Sequence, residues 1–434
     1  MRTRVLFHEI NAGSAQIAAA FAKRLRFVPV CDDSHLAEEL ARLELSFERW
    51  APPVPGEPSP SVQARVDEMA GWIRQAASLA ASRRAFASSH PGQGERLMRD
   101  VVAQVTERAA EPIAMIEAFD EECAREAPRL VVMGNNSTSR QRALASRCAQ
   151  RGIPCLELAH GLYGGNLGHV AGDHHALHSL YAAWGERARE RLVAFGNAPS
   201  KIFVTGSPSW DPLYQPENRP SAAEAKARIG LDPSRPALLY CTTYANMQTA
   251  FWPAIKERIL TITKALLEAI RQAGDVQLVV RQHPSEATAA GRESQEDLEQ
   301  AYRAWAAGLG VERLVFNSGA MHDAVRACDI VVTTPSTVVV EAMILERPVI
   351  MIPRQPGADR FFRAEDGIVV IDDELDLPAE IARLLGAAWA REEIVRAQRR
   401  ALPAFNFGND GRAAERVAEL LEELCLSADQ VVVP

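Results

Sequence analysis

Short runs of valine, isoleucine and leucine recur along the chain, each closed by a polar turn and followed by an amphipathic stretch. That rhythm belongs to βα units on a parallel sheet, whose strands are buried on both faces. The first half predicts strands at RVLFHEI (4–10), RLVVMG (129–134), IPCLELA (153–159), SLYAAWG (179–185) and KIFVTG (201–206). Between the first two, residues 61–125 carry apolar side chains at heptad-like spacing around Val66, Met69, Ile73 and Val101, Val105, Ile113, Ile116, which predicts two or three helices. The WAPPVPGEPSPS stretch (50–61) ahead of them holds five prolines and reads as a surface loop or lid.

A second series begins after DPLYQPENRPSA (211–222), the best linker candidate. Its strands are ALLYCTT (237–243), VQLVVRQ (276–282), RLVFN (313–317), DIVVTT (329–334), PVIMI (348–352) and GIVVI (367–371). Helices are expected at 256–273, 295–309, near 384–400 and at 411–424. The expectation is an α/β protein of two Rossmann-like domains facing a central cleft, with strand C-termini of both halves toward the ligand. Residues 1–215 form the first domain, with a helical insertion at about 50–125, and residues 216–434 the second, its last helix free to cross back.

Composition narrows this picture. The 434 residues carry 48 basic and 56 acidic side chains, a net charge of −8, which excludes the broad basic surface of a nucleic-acid binder. Only five of the basic residues are lysine, which with the abundance of alanine reads first as a GC-rich bacterial genome. Seven scattered cysteines with no CxxC pair suggest buried free thiols in a reducing cytoplasm. The apolar run at the N-terminus is too short for a signal peptide, and no stretch reaches the roughly 18 residues of a membrane span. A soluble cytoplasmic protein is expected; Arg83 and Arg84 read first as a solvated helix face and second as a peripheral contact with anionic lipid at the inner membrane. GDHHALH (172–178) lacks both an HExxH pattern and an acidic partner, so no metal site is expected. No G-x-G-x-x-G follows either first strand, and no cofactor is expected.

The sharpest chemistry lies in ACDIVVTTPSTVVVEAMILERPVIMI (327–352). A buried strand ends at Thr333–Thr334, and Pro335, Ser336 and Thr337 open a helix, where hydroxyls and free N–H groups suit an anion. Plain helix capping by Ser336 and Thr337 is an equal reading. Glu341, one turn on, is placed to grip ribose hydroxyls. In VVRQHPSE (279–286), His283 sits just past a strand C-terminus and Pro284 keeps it extended, so an imidazole there can meet a phosphate or protonate a leaving group. Thr242 and Thr243 end the first strand of the same half and join the nucleotide-binding set. In the first half, CLELAHGLYGGNLG (155–168) ends a strand at His160, followed by Gly161 and further glycines that let a ligand approach closely. His160 and Glu9 are the candidate bases, and Asn135, Asn136, Gly13 and Ser14 face the same cleft. A histidine bonded to neighbouring backbone is the plain alternative for His160.

Taken together, QHP (282–284), PST (335–337) with VVVEAMILERPVI behind it, HG (160–161), VTGSPSWD (204–211) and NDGRAAERV (409–417) resemble bacterial GT-B transferases of surface-polysaccharide assembly. That group includes capsular Kdo transferases, polysialyltransferases and CDP-glycerol glycerophosphotransferases, and the similarity runs from about Asn135 to the C-terminus. The resemblance implies a metal-independent GT-B enzyme in which His283, Ser336 and Thr337 bind the phosphate of a cytidine-activated donor and His160 is catalytic. The acidic motif that supplies the polysialyltransferase base has no clear counterpart in the first half, so the base and the donor sugar stay open.

The first reading is therefore a capsule-polysaccharide glycosyltransferase that moves a nonulosonate, such as Kdo or sialic acid, from a CMP-linked donor to a glycan or lipid-linked acceptor. Glu9 or His160 would be the base, and His283, Ser336 and Thr337 would stabilise the leaving nucleotide. An alternative transfers an alditol phosphate from CDP-glycerol or CDP-ribitol. A further alternative is an isomerase resembling the UDP-GlcNAc 2-epimerases, although NAGSA (11–15) lacks their GTRPE-type pattern. The last is a non-catalytic GT-B scaffold subunit, against which the retained HP and ST residues argue.

Overall fold

A computed structural model describes residues 3–10, 13–24, 27–32, 34–53, 57–78, 94–134, 138–159, 179–242, 252–283, 295–311, 313–353 and 361–427. Its first half is built on β1 (Thr3–His8), β2 (Phe27–Cys31), β3 (Glu48–Arg49), β4 (Leu130–Met133), β5 (Cys155–Leu158), β6 (Leu180–Ala183) and β7 (Ile202–Val204). These form one parallel sheet in the order β3-β2-β1-β4-β5-β6-β7. The helices of this half are α1 (Ser14–Arg24), α2 (His35–Arg42), α3 (Pro60–Ser78), α4 (Gly94–Glu126), α5 (Ser139–Gln150) and α6 (Glu186–Ala194).

The second half opens with α7 (Ala222–Arg228) and carries β8 (Ala237–Cys241), β9 (Gln277–Arg281), β10 (Leu314–Phe316), β11 (Ile330–Thr333), β12 (Val349–Met351) and β13 (Ile368–Val370). Their order is β10-β9-β8-β11-β12-β13, again parallel throughout. Around them lie α8 (Trp252–Ala273), α9 (Gln295–Gly308), α10 (Met321–Ala327), α11 (Val338–Ile344), α12 (Leu377–Gly386), α13 (Ala388–Phe405) and α14 (Ala413–Ser427). Two parallel α/β sheets with helices on both faces make the GT-B architecture.

Strand alternation explains the layering. In β1, Val5 and Phe7 pack with Ile17, Phe21, Leu36 and Leu40, whereas Leu6 faces Met115, Phe119 and Leu144 on the opposite side. The last helix, α14, lies on the first sheet, because Val417, Leu420, Leu421 and Leu424 join the same cluster as Val5 and Phe7. A further core runs through both halves, joining Tyr181, Trp184 and Trp210 to Val331, Val339 and Phe405.

The proline-rich region 211–222 is more ordered than a free linker. Residues Pro208–Tyr214 form a 3₁₀ turn in which Asp211 is buried and accepts the Ala413 and Ala414 N–H groups at 3.0 and 2.8 Å, capping α14. Two other expectations change. Trp50, at the head of the expected lid, is buried with its ring 5.5 Å from that of His8. The single helix expected near 384–400 is two, α12 and α13, divided at Ala387. Strands β2 and β3 and helix α2 were not visible in the hydrophobic pattern. Pro29 interrupts the β2 signal, and it is tolerated because β3 pairs only with Val30 and Cys31, leaving β2 an edge at that point.

Candidate functional site

In both sheets the strand order reverses between two neighbours, and the loops leaving those two strands part to open a crevice. In the second half the switch lies between β8 and β11, and a cavity of about 1290 Å³ opens there. The exits of β8 (Thr242), β9 (Arg281, Gln282, His283) and β11 (Ser336, Thr337, Glu341) line it. On the far side it is closed by Phe316 at the end of β10, by Asn317 after it and by Arg303 of α9.

Local hydrogen bonds fix this rim. Thr242 is buried, and its hydroxyl accepts the His283 N–H at 2.9 Å, so one strand exit pins the next. After β11, Ser336 Oγ accepts the Val338 N–H at 3.2 Å and lies 3.4 Å from Thr333 Oγ1. The capping role is therefore real, yet it uses Ser336 as an acceptor and leaves its proton to donate. Thr337 already has helical backbone angles, and its hydroxyl reaches Glu341 rather than a helix N–H.

Glu341 is the perturbed carboxyl of the rim. Burial pushes its carboxyl up to about 7, against hydrogen bonds from Trp210 and Thr337 and the nearby charge of Arg281. The Trp210 contact is one that sequence reasoning missed. Trp210 belongs to the turn joining the halves, its ring lies 4.6 Å from that of Trp184, and Trp184 Nε1 donates to the Ala159 carbonyl at 2.9 Å. The connection between halves thus touches the cavity of the second half and the β5 exit together.

The first half has its own switch point, between β1 and β4. Glu9 follows β1 directly with a left-handed backbone (φ 55°), and its side chain is 37% exposed. A Cβ at Gly134 would fall 2.1 Å from the Glu9 carbonyl oxygen, so only glycine fits at the end of β4. Behind Glu9, the buried His8 Nδ1 lies 2.8 Å from Asp32 Oδ2, a constellation absent from the sequence reading. Gly13 packs against Pro208 and Ser209 of the connecting turn, and Ser14 is buried at the start of α1. On β5, burial raises the Glu157 carboxyl to about 8.

The structure therefore gathers Thr242, His283, Ser336, Thr337 and Glu341 around one cavity and places Glu9 on the facing half, outside that lining. His160, Gly161, Asn135, Asn136, Pro284 and Thr243 lie outside the described residues, as does the 172–178 histidine cluster. Among the described residues no group of three or more His, Cys, Asp or Glu could hold a metal ion. No described helix is long and apolar enough to cross a membrane. All seven cysteines are free, and six of them are buried.

No curated protein matches the chain. Among solved structures, the chain is similar to UDP-GlcNAc 2-epimerase from Neisseria meningitidis, at 12% identity and a TM-score of 0.56, over 98% of this chain and 99% of that one. It is also similar to S. aureus MnaA, at 13% identity and a TM-score of 0.57, over 97% and 96% of the two chains. Anabaena Alr3699/HepE gives 14% identity and a TM-score of 0.55, over 98% and 100%. These likenesses show the fold. The capsular-transferase affiliation and the cytidine donor expected from the motifs find no support in these matches. Residues 103–422, most of the chain, match a family directly: the chain belongs to the UDP-N-acetylglucosamine 2-epimerase family.

Proposed function

We propose that the protein binds a uridine-diphosphate sugar in the cavity between β8 and β11 and acts on its hexose as an isomerase of the 2-epimerase type. One observation carries this reading: Thr242, His283, Ser336, Thr337 and Glu341, all within the family match, converge on a single cavity at the switch point of the second half. His283, Ser336 and Thr337 supply N–H and O–H donors for the diphosphate, and Glu341 accepts from the ribose hydroxyls. Stabilising the diphosphate where negative charge develops loosens its bond to the sugar. The structures of S. aureus MnaA with UDP and of the Neisseria enzyme with UDP-GlcNAc support uridine over cytidine.

A second reading, transfer of the sugar to an acceptor hydroxyl without a metal, is favoured by the β1 exit. There Glu9 and NAGSA stand where a GTRPE-type pattern would be expected of an epimerase. A solved structure of Anabaena Alr3699/HepE with UDP and glucose supports a GT-B relative of this kind.

A thermal-shift panel of UDP, CMP, CDP and GDP tests the nucleotide assignment, because a ligand bound only by the folded state raises Tm. UDP should give the largest shift. A shift with CMP or CDP alone would overturn the uridine reading.

A further inference from the structure

The first half contains a second built site, centred on the exit of β1. His8 is 1% exposed at its side chain, and its two ring nitrogens face two different carboxylates. Nδ1 lies 2.8 Å from Asp32 Oδ2, and Nε2 lies 3.5 Å from Glu9 Oε1 with no hydrogen-bond partner of its own among the described residues. The same Asp32 oxygen accepts the Glu9 N–H at 2.7 Å, which holds the left-handed Glu9 backbone. The other Glu9 oxygen, Oε2, accepts from Nε2 of the buried Gln141. Gly134 leaves room for the Glu9 carbonyl, and the edge-on Trp50 ring closes the back of His8. Of the three ionisable groups only Glu9 reaches solvent.

We propose that Glu9 is the group that exchanges a proton with the sugar, and that the buried His8–Asp32 pair is its positioning device. The assignment rests on the nucleotide-sugar reading. It goes beyond that reading by placing the proton-transfer group on the half opposite the nucleotide. Glu9 stands at the first sheet's switch point, where open α/β sheets present ligands to their strand exits. Its loop returns through Gly13 against Pro208 and Ser209, the turn whose Trp210 bonds Glu341, so one short segment joins both sites.

The proton inventory follows from the geometry. With the ring singly protonated, Asp32 accepts from Nδ1–H of His8 and the Nε2 lone pair is left toward Glu9. The one proton that Glu9 takes from the substrate is then shared between Oε1 and Nε2. When Glu9 accepts a proton from the substrate, the broken bond leaves its electron pair on the sugar. The Glu9–His8 pair passes from a net charge of −1 to 0. An isomerase returns the proton at the end of the cycle, and a transferase releases it to water. The titratable groups facing His8 are Asp32 from β2 and Glu9 from β1, while α5 contributes neutral Gln141 and the segment after β3 neutral Trp50.

The test compares wild type, Glu9→Gln, Asp32→Asn and His8→Gln for turnover of UDP-N-acetylglucosamine across pH, with affinity for the same compound measured by calorimetry. Glu9→Gln should lower kcat by about 100-fold or more, and Asp32→Asn and His8→Gln by about 10–100-fold, with affinity changed less than about twofold. Asp32→Asn should also move the acid limb of the kcat profile to lower pH, because removing the Asp32 charge disfavours proton uptake by the Glu9–His8 pair. If one of the two supporting variants fails to fold, the other carries the comparison. Wild-type turnover with Glu9→Gln unimpaired overturns the assignment alone. Slowed turnover with an unmoved acid limb reduces His8–Asp32 to scaffolding and overturns the positioning role. A wild type that turns over no nucleotide sugar overturns the underlying reading, and the assignment falls with it.

Discussion

Acidification through the range in which Glu341 takes up a proton should weaken nucleotide-sugar binding by an amount the pocket sets. A carboxylate accepts both hydroxyls of a ribose diol, whereas a carboxylic acid offers a poorer match. Burial places this carboxyl at about 7. Its ionised fraction then falls from about nine-tenths at about pH 8 to about a tenth at about pH 6, and Kd rises about tenfold, or ~1.4 kcal/mol. UDP-N-acetylglucosamine is the proper probe, because its phosphates stay ionised over that range. Isothermal titration in buffers of different ionisation heat reads both the affinity and the proton released. Glu341→Gln should bind more weakly and without a pH slope. A protonating histidine would act in the opposite sense, tightening the hold on a diphosphate as the pH falls. An affinity indifferent to pH, one that improves in acid, or a Glu341→Gln variant that keeps the slope would each refute the reasoning. Stability follows the same shift. The folded-state value lies above the ordinary 4.5, so the linked stabilisation is complete below about pH 4.5 and is lost as the pH rises through about 7. The upper bound is about 3 kcal/mol. Glu341→Gln should therefore raise Tm over wild type at about pH 8 and not at about pH 4.

Trp210→Phe keeps the aromatic packing on Trp184 but removes the indole donor to Glu341. The carboxyl should titrate higher, and the midpoint of the binding-versus-pH curve should move up with it, which the same calorimetry reads. His283→Ala and Ser336→Ala should each weaken UDP binding by about tenfold, near the value of one charge-assisted hydrogen bond, while leaving the unliganded Tm within a few degrees. Gly134→Ala drives a Cβ into the Glu9 carbonyl and should cost about 3 kcal/mol in denaturant unfolding. Asp211→Ala strips the two N–H groups at the start of α14 of their acceptor and should cost about 1–2 kcal/mol, with α14 loosened from the first sheet in hydrogen exchange.

The second half was legible in the sequence because its strands are continuous apolar runs, each ending in a polar residue that must face the crevice. All six strands of that half fall inside the expected runs, and Thr242, His283, Ser336 and Glu341 come from their exits. The first half was less legible for three physical reasons. Pro29 hides a strand that is partly an edge. His8 and Asp32 are 24 residues apart in sequence and meet only because β1 and β2 are neighbours in register, Phe7 opposite Cys31. Trp210 looked like part of a linker, since nothing local shows that its indole reaches a glutamate 131 positions later. Pairings made by sheet order leave no periodic trace. The sequence could not separate cytidine from uridine, because the roles proposed for His283, Ser336 and Thr337 answer to phosphate, which both kinds of donor share.

Incubation of the purified protein with UDP-N-acetylglucosamine, followed by proton NMR of the sugar signals, tests the proposed isomerase most directly. A second set of hexosamine signals with UDP still attached should grow to a fixed ratio, and Glu9→Gln should slow its growth. Substrate left unchanged, or UDP released only when an acceptor sugar is added, would contradict it.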